Sequence, residues 1–245
     1  MKFRRMLFLL FVGSIILCGC GNGLKQEVAL ESYQIIPQQE HYIDKNDEYR
    51  SIQITYPQIE VYGNAEATQR LNAILASLCA AYGPATLYCD TCYKREFTYE
   101  ITYADEDIFS ICLAGNTYYF HQDVESLSYG VTFDVQEGMT IHLEDTEIDE
   151  EDIQNLLDNG QFTIPKVEKK FISDIDFDAY ASSYLIPLMF VGFTEDGLIY
   201  SFGSYDGGRN PILSYEVPYV LDQSVKTNIQ ENVKNRKKEM EKYIL

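Results

Sequence analysis

Apolar residues recur along this chain in two rhythms, every second position and every third or fourth, and the switches between them set out the elements. Residues 49–60, YRSIQITYPQIE, alternate and predict a first strand that ends near Pro57. The period then changes. Leu71, Ile74, Leu75, Leu78, Cys79 and Tyr82 share one helical face, with Asn64 placed to cap the helix and Gly83-Pro84 to stop it. Alternation returns over residues 93–103, 108–113, 117–121, 129–135 and 139–143, with hairpin turns expected at Gly115-Asn116 and at Gln136-Glu137-Gly138. The acidic run at 144–153 lacks the glycine and ligand spacing of a calcium loop; Asp149, Glu150, Glu151 and Asp152 read instead as a helix opening, which closes at Asn159-Gly160. Residues 184–194 and 198–205 predict a hairpin across Glu195-Asp196-Gly197, and 216–219 a last short strand. Val225, Ile229 and Val233 recur at helical spacing in the charged tail. Residues 162–180 support no single reading. The sum is an α+β fold: an antiparallel β-sheet with a few helices packed on it.

The first twenty residues are of another kind. Lys2, Arg4 and Arg5 precede an apolar run from Met6 to Leu17, too short for an ordinary membrane span and the right length for a secretory signal. Leu17-Cys18-Gly19-Cys20 follows and resembles the bacterial lipobox, which puts a diacylglyceryl anchor on Cys20; the other reading is a signal peptide cut elsewhere, with Cys20 an ordinary residue. The chain then divides into a lipoprotein signal peptide (1–19), a polar tether (20–48), an N-terminal helix-plus-sheet half (49–125), a C-terminal half (126–221) and a charged helical tail (222–245). The expected location is the extracytoplasmic face of a bacterial cell membrane.

Charge narrows the partners. The chain holds 19 Lys and Arg against 38 Asp and Glu, and removing the three basic residues of 1–19 leaves 16 against 38, a formal charge of −22. Such a surface repels nucleic acid and speeds encounter with a basic partner. Twenty Tyr and thirteen Phe without Trp suit a β-rich core, or exposed tyrosines at a glycan or protein site.

Four cysteines lie beyond the anchor: Cys79, Cys89, Cys92 and Cys112. An even count outside the cell predicts two disulfides, with three pairings open. Cys89-Asp90-Thr91-Cys92 has redox-motif spacing, but the residues after it alternate like a strand and offer no helix N-terminus to activate a thiol. His41, His121 and His142 lie far from the cysteines, so no zinc site is expected, and no cofactor is implied. Nucleophile-elbow, HExxH, phosphate-loop and dinucleotide fingerprints are all missing. His142 and Glu144, with His121 along the sheet, form the one acid–base arrangement to weigh, and a satisfied surface histidine is the better reading. In the loop after residue 204, Tyr205, Asp206, Arg209 and Asn210 are the ligand-binding candidates, with Gly207-Gly208 otherwise a simple connector.

The order of pieces resembles the extracytoplasmic module shared by RsiV-type anti-sigma factors and PdaC-type peptidoglycan deacetylases. IQITYPQIE with the Asn72-containing helix is similar to that module's first half, GVTFDVQEGMTIHLEDTEI to its second, and FTEDGLIYSFGSY with Val217-Pro218-Tyr219 to its closing hairpin and final strand. The Asp206–Asn210 stretch departs from that pattern, and the cysteines look like an addition. The resemblance implies a stand-alone binding module, without the membrane-crossing segment of the anti-sigma factor or the metal-dependent domain of the deacetylase. It also implies a basic protein such as lysozyme, or peptidoglycan, as partner. An enzyme acting on wall or surface glycans is the alternative.

Overall fold

The computed structural model describes residues 24–43, 50–80, 92–120, 124–166, 185–204 and 213–242. Strands β1 (Val28–Ala29), β2 (Tyr33–Ile43), β3 (Ser51–Val61), β4 (Cys92–Ala104), β5 (Ile108–Tyr119), β6 (Val124–Asp134) and β7 (Met139–Ile141) form a seven-stranded sheet in chain order. Every neighbouring pair is antiparallel except β3 and β4, which are joined through helix α1 (Ala65–Ala80). Strands β8 (Leu185–Phe193), β9 (Gly197–Ser204) and β10 (Leu213–Pro218) form a second antiparallel sheet. Helices α2 (Glu150–Asp158) and α3 (Gln223–Lys242) complete the α+β architecture that the sequence predicts.

Helix ends follow the expected chemistry. Asn64 Oδ1 accepts from Ala67 N at 3.0 Å, and Asp149 accepts from Asp152 N at 2.9 Å. Helix α1 also closes an open edge. Strand β3 pairs with β4 only through Ser51 to Ile54. Beyond that point Asn72 both accepts from Ile59 N and donates to Ile59 O, and Thr68 does the same for Val61. Two helix side chains thus stand where a neighbouring strand would otherwise be required.

Four expectations need correction. Residues 28–43, assigned to the tether, include β1 and β2, and β2 pairs with β3 over its whole length. Polar outward positions of an edge strand hide its alternation. Strand β3 does not end at Pro57 but runs to Val61. Pro57 sits directly opposite Pro37. Neither has an N–H to give, so the two fit only at a non-hydrogen-bonded pair, where the missing donors point away from the ladder. Gly115-Asn116 is not a turn but the middle of β5. A Cβ at Gly115 would meet the Glu96 carbonyl oxygen at 2.4 Å and the Phe97 ring at 2.9 Å, so glycine serves close approach here. Finally, Cys79, Cys92 and Cys112 are buried and outside any disulfide. Cys79 and Cys92 belong to the core beneath α1, whereas Cys112 packs with Ala114 and Ile199 on the other face of the sheet. The sheet itself separates Cys112 from the other two. Cys89 lies outside the described residues.

Strand β5 shows how the layers divide. Phe109, Ile111 and Leu113 enter the core shared with α1, where Phe109 stacks on Phe133 at 4.6 Å and meets Tyr33 at a tilt, 5.7 Å between centroids. Ser110, Cys112 and Ala114 face the second sheet. There the free edge of β8 crosses β6, β5 and β4. Thr132 donates to Val191 O at 2.7 Å, Ser110 accepts from Phe193 N at 2.9 Å, and Thr102 donates to Phe193 O at 2.7 Å. Alongside, Ser201 accepts from Gly130 N and Ser214 donates to Ser128 O, on a stretch of β6 that the three-residue β7 does not reach. The backbones nearly touch: a Cβ on Gly130 would lie 2.8 Å from the Gly192 Cα. Gly130→Ala should lower stability by about 1–3 kcal/mol through overpacking. Ser110→Ala should cost on the order of 1–3 kcal/mol by stranding the Phe193 N–H. Urea midpoints of the two variants check both values.

Candidate functional site

Chain reversals at one end of the two sheets carry carboxylates, which together make an acidic rim. The β4–β5 turn contributes Asp105, Glu106 and Asp107, and the β8–β9 turn Glu195 and Asp196. The approach to α2 and its first turn add Glu147, Asp149, Glu150, Glu151 and Asp152, all exposed. Tyr219 ties these pieces together. Its N–H bonds Asp196 O at 3.1 Å, its ring stacks on Phe193 at 5.7 Å, and burial together with Glu147 and Asp222 raises the pKa of its phenol. Asn228 of α3 donates to Glu147 at 2.6 Å. Glu106 accepts from the N–H groups of Glu31 and Ser32 at 3.2 and 2.9 Å, which joins the β1–β2 turn to the rim.

Helix α3 supplies cations to this surface. Lys226 pairs with Asp105 and lies over the Tyr103 ring, 5.2 Å from its centroid. Burial opposes ionisation of Asp105, but the Lys226 ammonium, the Tyr103 hydroxyl and the N–H groups of Ile108 and Asp107 outweigh it, and the carboxyl sits below its usual range. Lys237 pairs with Glu137 at 2.7 Å. Arg236 reaches an enclosed acid, Asp145, whose side chain is only 3 % exposed; it bonds Oδ1 at 3.1 Å through Nε and Oδ2 at 2.7 Å through Nη2, and it also donates to Thr140 O. Ile229 and Val233 anchor the helix between these pairs.

The acid–base pair weighed from sequence is part of the same anchor. His142 lies past β7, at the start of a short 3-10 turn, with Nδ1 3.6 Å from Glu144 and Nε2 2.9 Å from Thr140 Oγ1. Its N–H donates to Asp145 Oδ2 at 2.9 Å. Burial, then the neighbouring Arg236 guanidinium, pull the imidazole pKa below its usual value despite the nearby carboxylates. His121 lies outside the described residues, as do Tyr205, Asp206, Arg209, Asn210 and Cys20. Among the described residues no three His, Cys, Asp or Glu side chains gather closely enough to hold a metal ion. Burial pushes the Cys79 thiol up to about 12, far from a thiolate nucleophile.

A cleft of about 190 Å³ opens where the two sheets meet, lined by Glu100, Thr102, Lys166, Thr194, Ile199 and Glu216. Glu100 lies 3.6 Å from Lys166, and Glu216 accepts from Thr194 at 2.7 Å and Thr163 at 3.2 Å. The volume falls below the roughly 300 Å³ at which small-molecule pockets begin. It suits one side chain of a partner better than a whole ligand. The rim, then, is the larger surface. Its members were individually visible in the sequence as acidic turn residues, but only the fold brings the β4–β5 turn, the β8–β9 turn and α2 to one end.

No protein-family model matches this chain, and no curated protein does. Solved structures do. A DUF3298 family member from Bacteroides fragilis is 13% identical with a TM-score of 0.50, covering 81% of this chain and 97% of its own. A DUF3298 family protein from Pseudomonas aeruginosa is 10% identical with a TM-score of 0.48, covering 76% of this chain and 90% of its own. The first likeness defines the fold as that of a DUF3298 protein, a domain without an assigned activity.

Beside the rim, Asp134 is 1 % exposed, accepts from Glu137 N at 2.8 Å, and is raised from 3.8 to about 6 by burial, with Glu137 and Asp107 adding to the effect. A carboxyl raised in the folded state favours folding fully below about 3.8 and loses that contribution as pH rises through about 6. Asp134→Asn keeps the acceptor and removes the charge. Its stability advantage over the parent should therefore grow between pH 4 and 7, reaching no more than about 3 kcal/mol, as read by urea melts across that window.

Proposed function

We propose that the chain is an extracytoplasmic binding module, held at the membrane by lipid on Cys20, whose acidic rim takes a basic protein. The reading keeps the resemblance to the RsiV- and PdaC-type module and treats a basic lysozyme as the model partner. Cell-wall material is the second partner class that the same resemblance suggests. The observation that carries the proposal is the rim itself: acidic residues from three separate segments lie at one end, and one of them, Asp105, already accepts Lys226 from α3. A net charge of −19 for the whole chain adds long-range attraction for a cationic protein. The small cleft beside Glu216 gives such a partner a place for one inserted side chain.

Retention of a basic lysozyme on the immobilised full chain tests this reading. Binding should be clear at low salt and should weaken steeply toward about 150 mM, where charges separated by more than about 8 Å are screened. Replacing Glu150, Glu151 and Asp196 together by their amides should weaken it about tenfold or more, chiefly through slower association. Absence of retention at low salt, or binding indifferent to these substitutions, would exclude the rim as the docking surface.

A further inference from the structure

The opposite end of the large sheet has the reverse character. Of the five Lys and Arg among the described residues from 24 to 141, three, Arg50, Lys94 and Arg95, lie where β3 and β4 begin. Beside them stand three rings. Lys94 pairs across with Tyr118, and Tyr118 with Val124, so these side chains share a face. Phe120 follows at the strand end, 48 % exposed, and Val124 is 50 % exposed. Tyr93 joins them because the register shifts between Cys92 and Lys94: Cys92 opposes Tyr119 and Lys94 opposes Tyr118, so Tyr93 is the extra residue of a bulge. Plain alternation would place Tyr93 on the far face from Lys94. The bulge instead brings its ring 5.2 Å from Phe120 and 6.2 Å from Tyr118, tilted at 38° and 46°. A bulge that turns a large ring onto a partly exposed surface gains no core packing there.

We propose that Tyr93, Tyr118 and Phe120, with Arg50 and Lys94, form a binding site for a glycan that carries carboxylates. Partly exposed rings at this spacing offer successive apolar faces to the C–H faces of successive sugar rings. Arg50 lies over the Phe120 ring at 5.8 Å and Lys94 over the Tyr118 ring at 5.1 Å, so two of the three rings have a cation directly beside them. The Lys94 side chain is 39 % exposed while bonded to Glu96 at 2.7 Å, and Tyr118 donates to Glu96 at 2.9 Å; Glu96 therefore orients both without enclosing the ammonium. Charge selects the ligand. The acidic remainder of the molecule repels an anion, and this end is where its carboxylates find guanidinium and ammonium donors. Tyr93 and Tyr118 stand on adjacent paired strands and Phe120 follows directly after one of them, so the ring positions are set before binding. This site is independent of the acidic rim, and either can fail without the other.

Calorimetric titration of the full chain in detergent micelles, with oligogalacturonate and with a chitin oligosaccharide of equal length, tests the proposal. Oligogalacturonate should bind, and the neutral oligosaccharide should bind at least about threefold more weakly. Phe120→Ala and Lys94→Gln should each weaken oligogalacturonate binding about three- to tenfold, with urea midpoints shifted little because Phe120 is half-exposed and the Lys94–Glu96 pair lies near the surface. Equal affinity for the neutral chain, affinity indifferent to both substitutions, or no binding of either sugar would overturn it. So would binding to anionic phospholipid vesicles without binding to oligogalacturonate, which would make this surface a lipid contact.

Discussion

The molecule depends on a line of hydroxyl groups across its middle. A sheet edge buried against another sheet leaves backbone donors and acceptors that water cannot reach, and each left unpaired costs on the order of 1–3 kcal/mol. Here Thr132, Ser110 and Thr102, on three consecutive strands, meet Val191 and Phe193 of β8. Ser201 and Ser214 return the service to β6. Hydroxyls are short enough to permit the close approach of Gly130 and Gly192 and polar enough to satisfy the edge. With these groups in place the second sheet has one position, and the α2 and α3 contacts that depend on it are fixed as well.

That fixed junction separates two ends of opposite character. Chain reversals and helix starts collect at the β4–β5 end, and they favour Asp and Glu for caps and turns. The first residues of β4 and last of β5, at the other end, carry rings and cations instead. Helix α3 reads as part of the acidic end: its Lys226, Arg236 and Lys237 find carboxylates at intervals, while Ile229 and Val233 are its buried residues.

Much of this was legible in the sequence. Asn64, Asp149 and the Asn159-Gly160 stop announce their helices because capping is local chemistry. The β8–β9 hairpin was legible for the same reason, its turn residues lying between two apolar runs. What escaped depends on partners distant in sequence. Beyond Ile35 strand β2 has no outer neighbour among the described residues, and its polar residues there carry no alternating signal. Gly115 looks like a turn until Phe97 is seen across from it. Four cysteines suggest two bridges, yet parity along β5 sends Cys112 to the face away from Cys79. The acidic rim gathers from turns far apart in the chain, and Tyr93 joins the ring cluster only through a register shift that no periodicity records.

The facing prolines of β2 and β3 have a consequence for how copies of the molecule behave in a crowd. Sliding either strand by one residue would set an imino nitrogen against a carbonyl that needs a donor, so the hairpin is held to a single alignment. The same geometry turns the nitrogen of Pro37 outward, in the middle of a border strand that would otherwise present an unbroken ladder to a neighbour. A foreign strand attempting to extend the sheet there meets a gap, and Glu40 three residues on adds repulsion between like copies. The pair therefore works as a stop against fibre growth at the border most open to it.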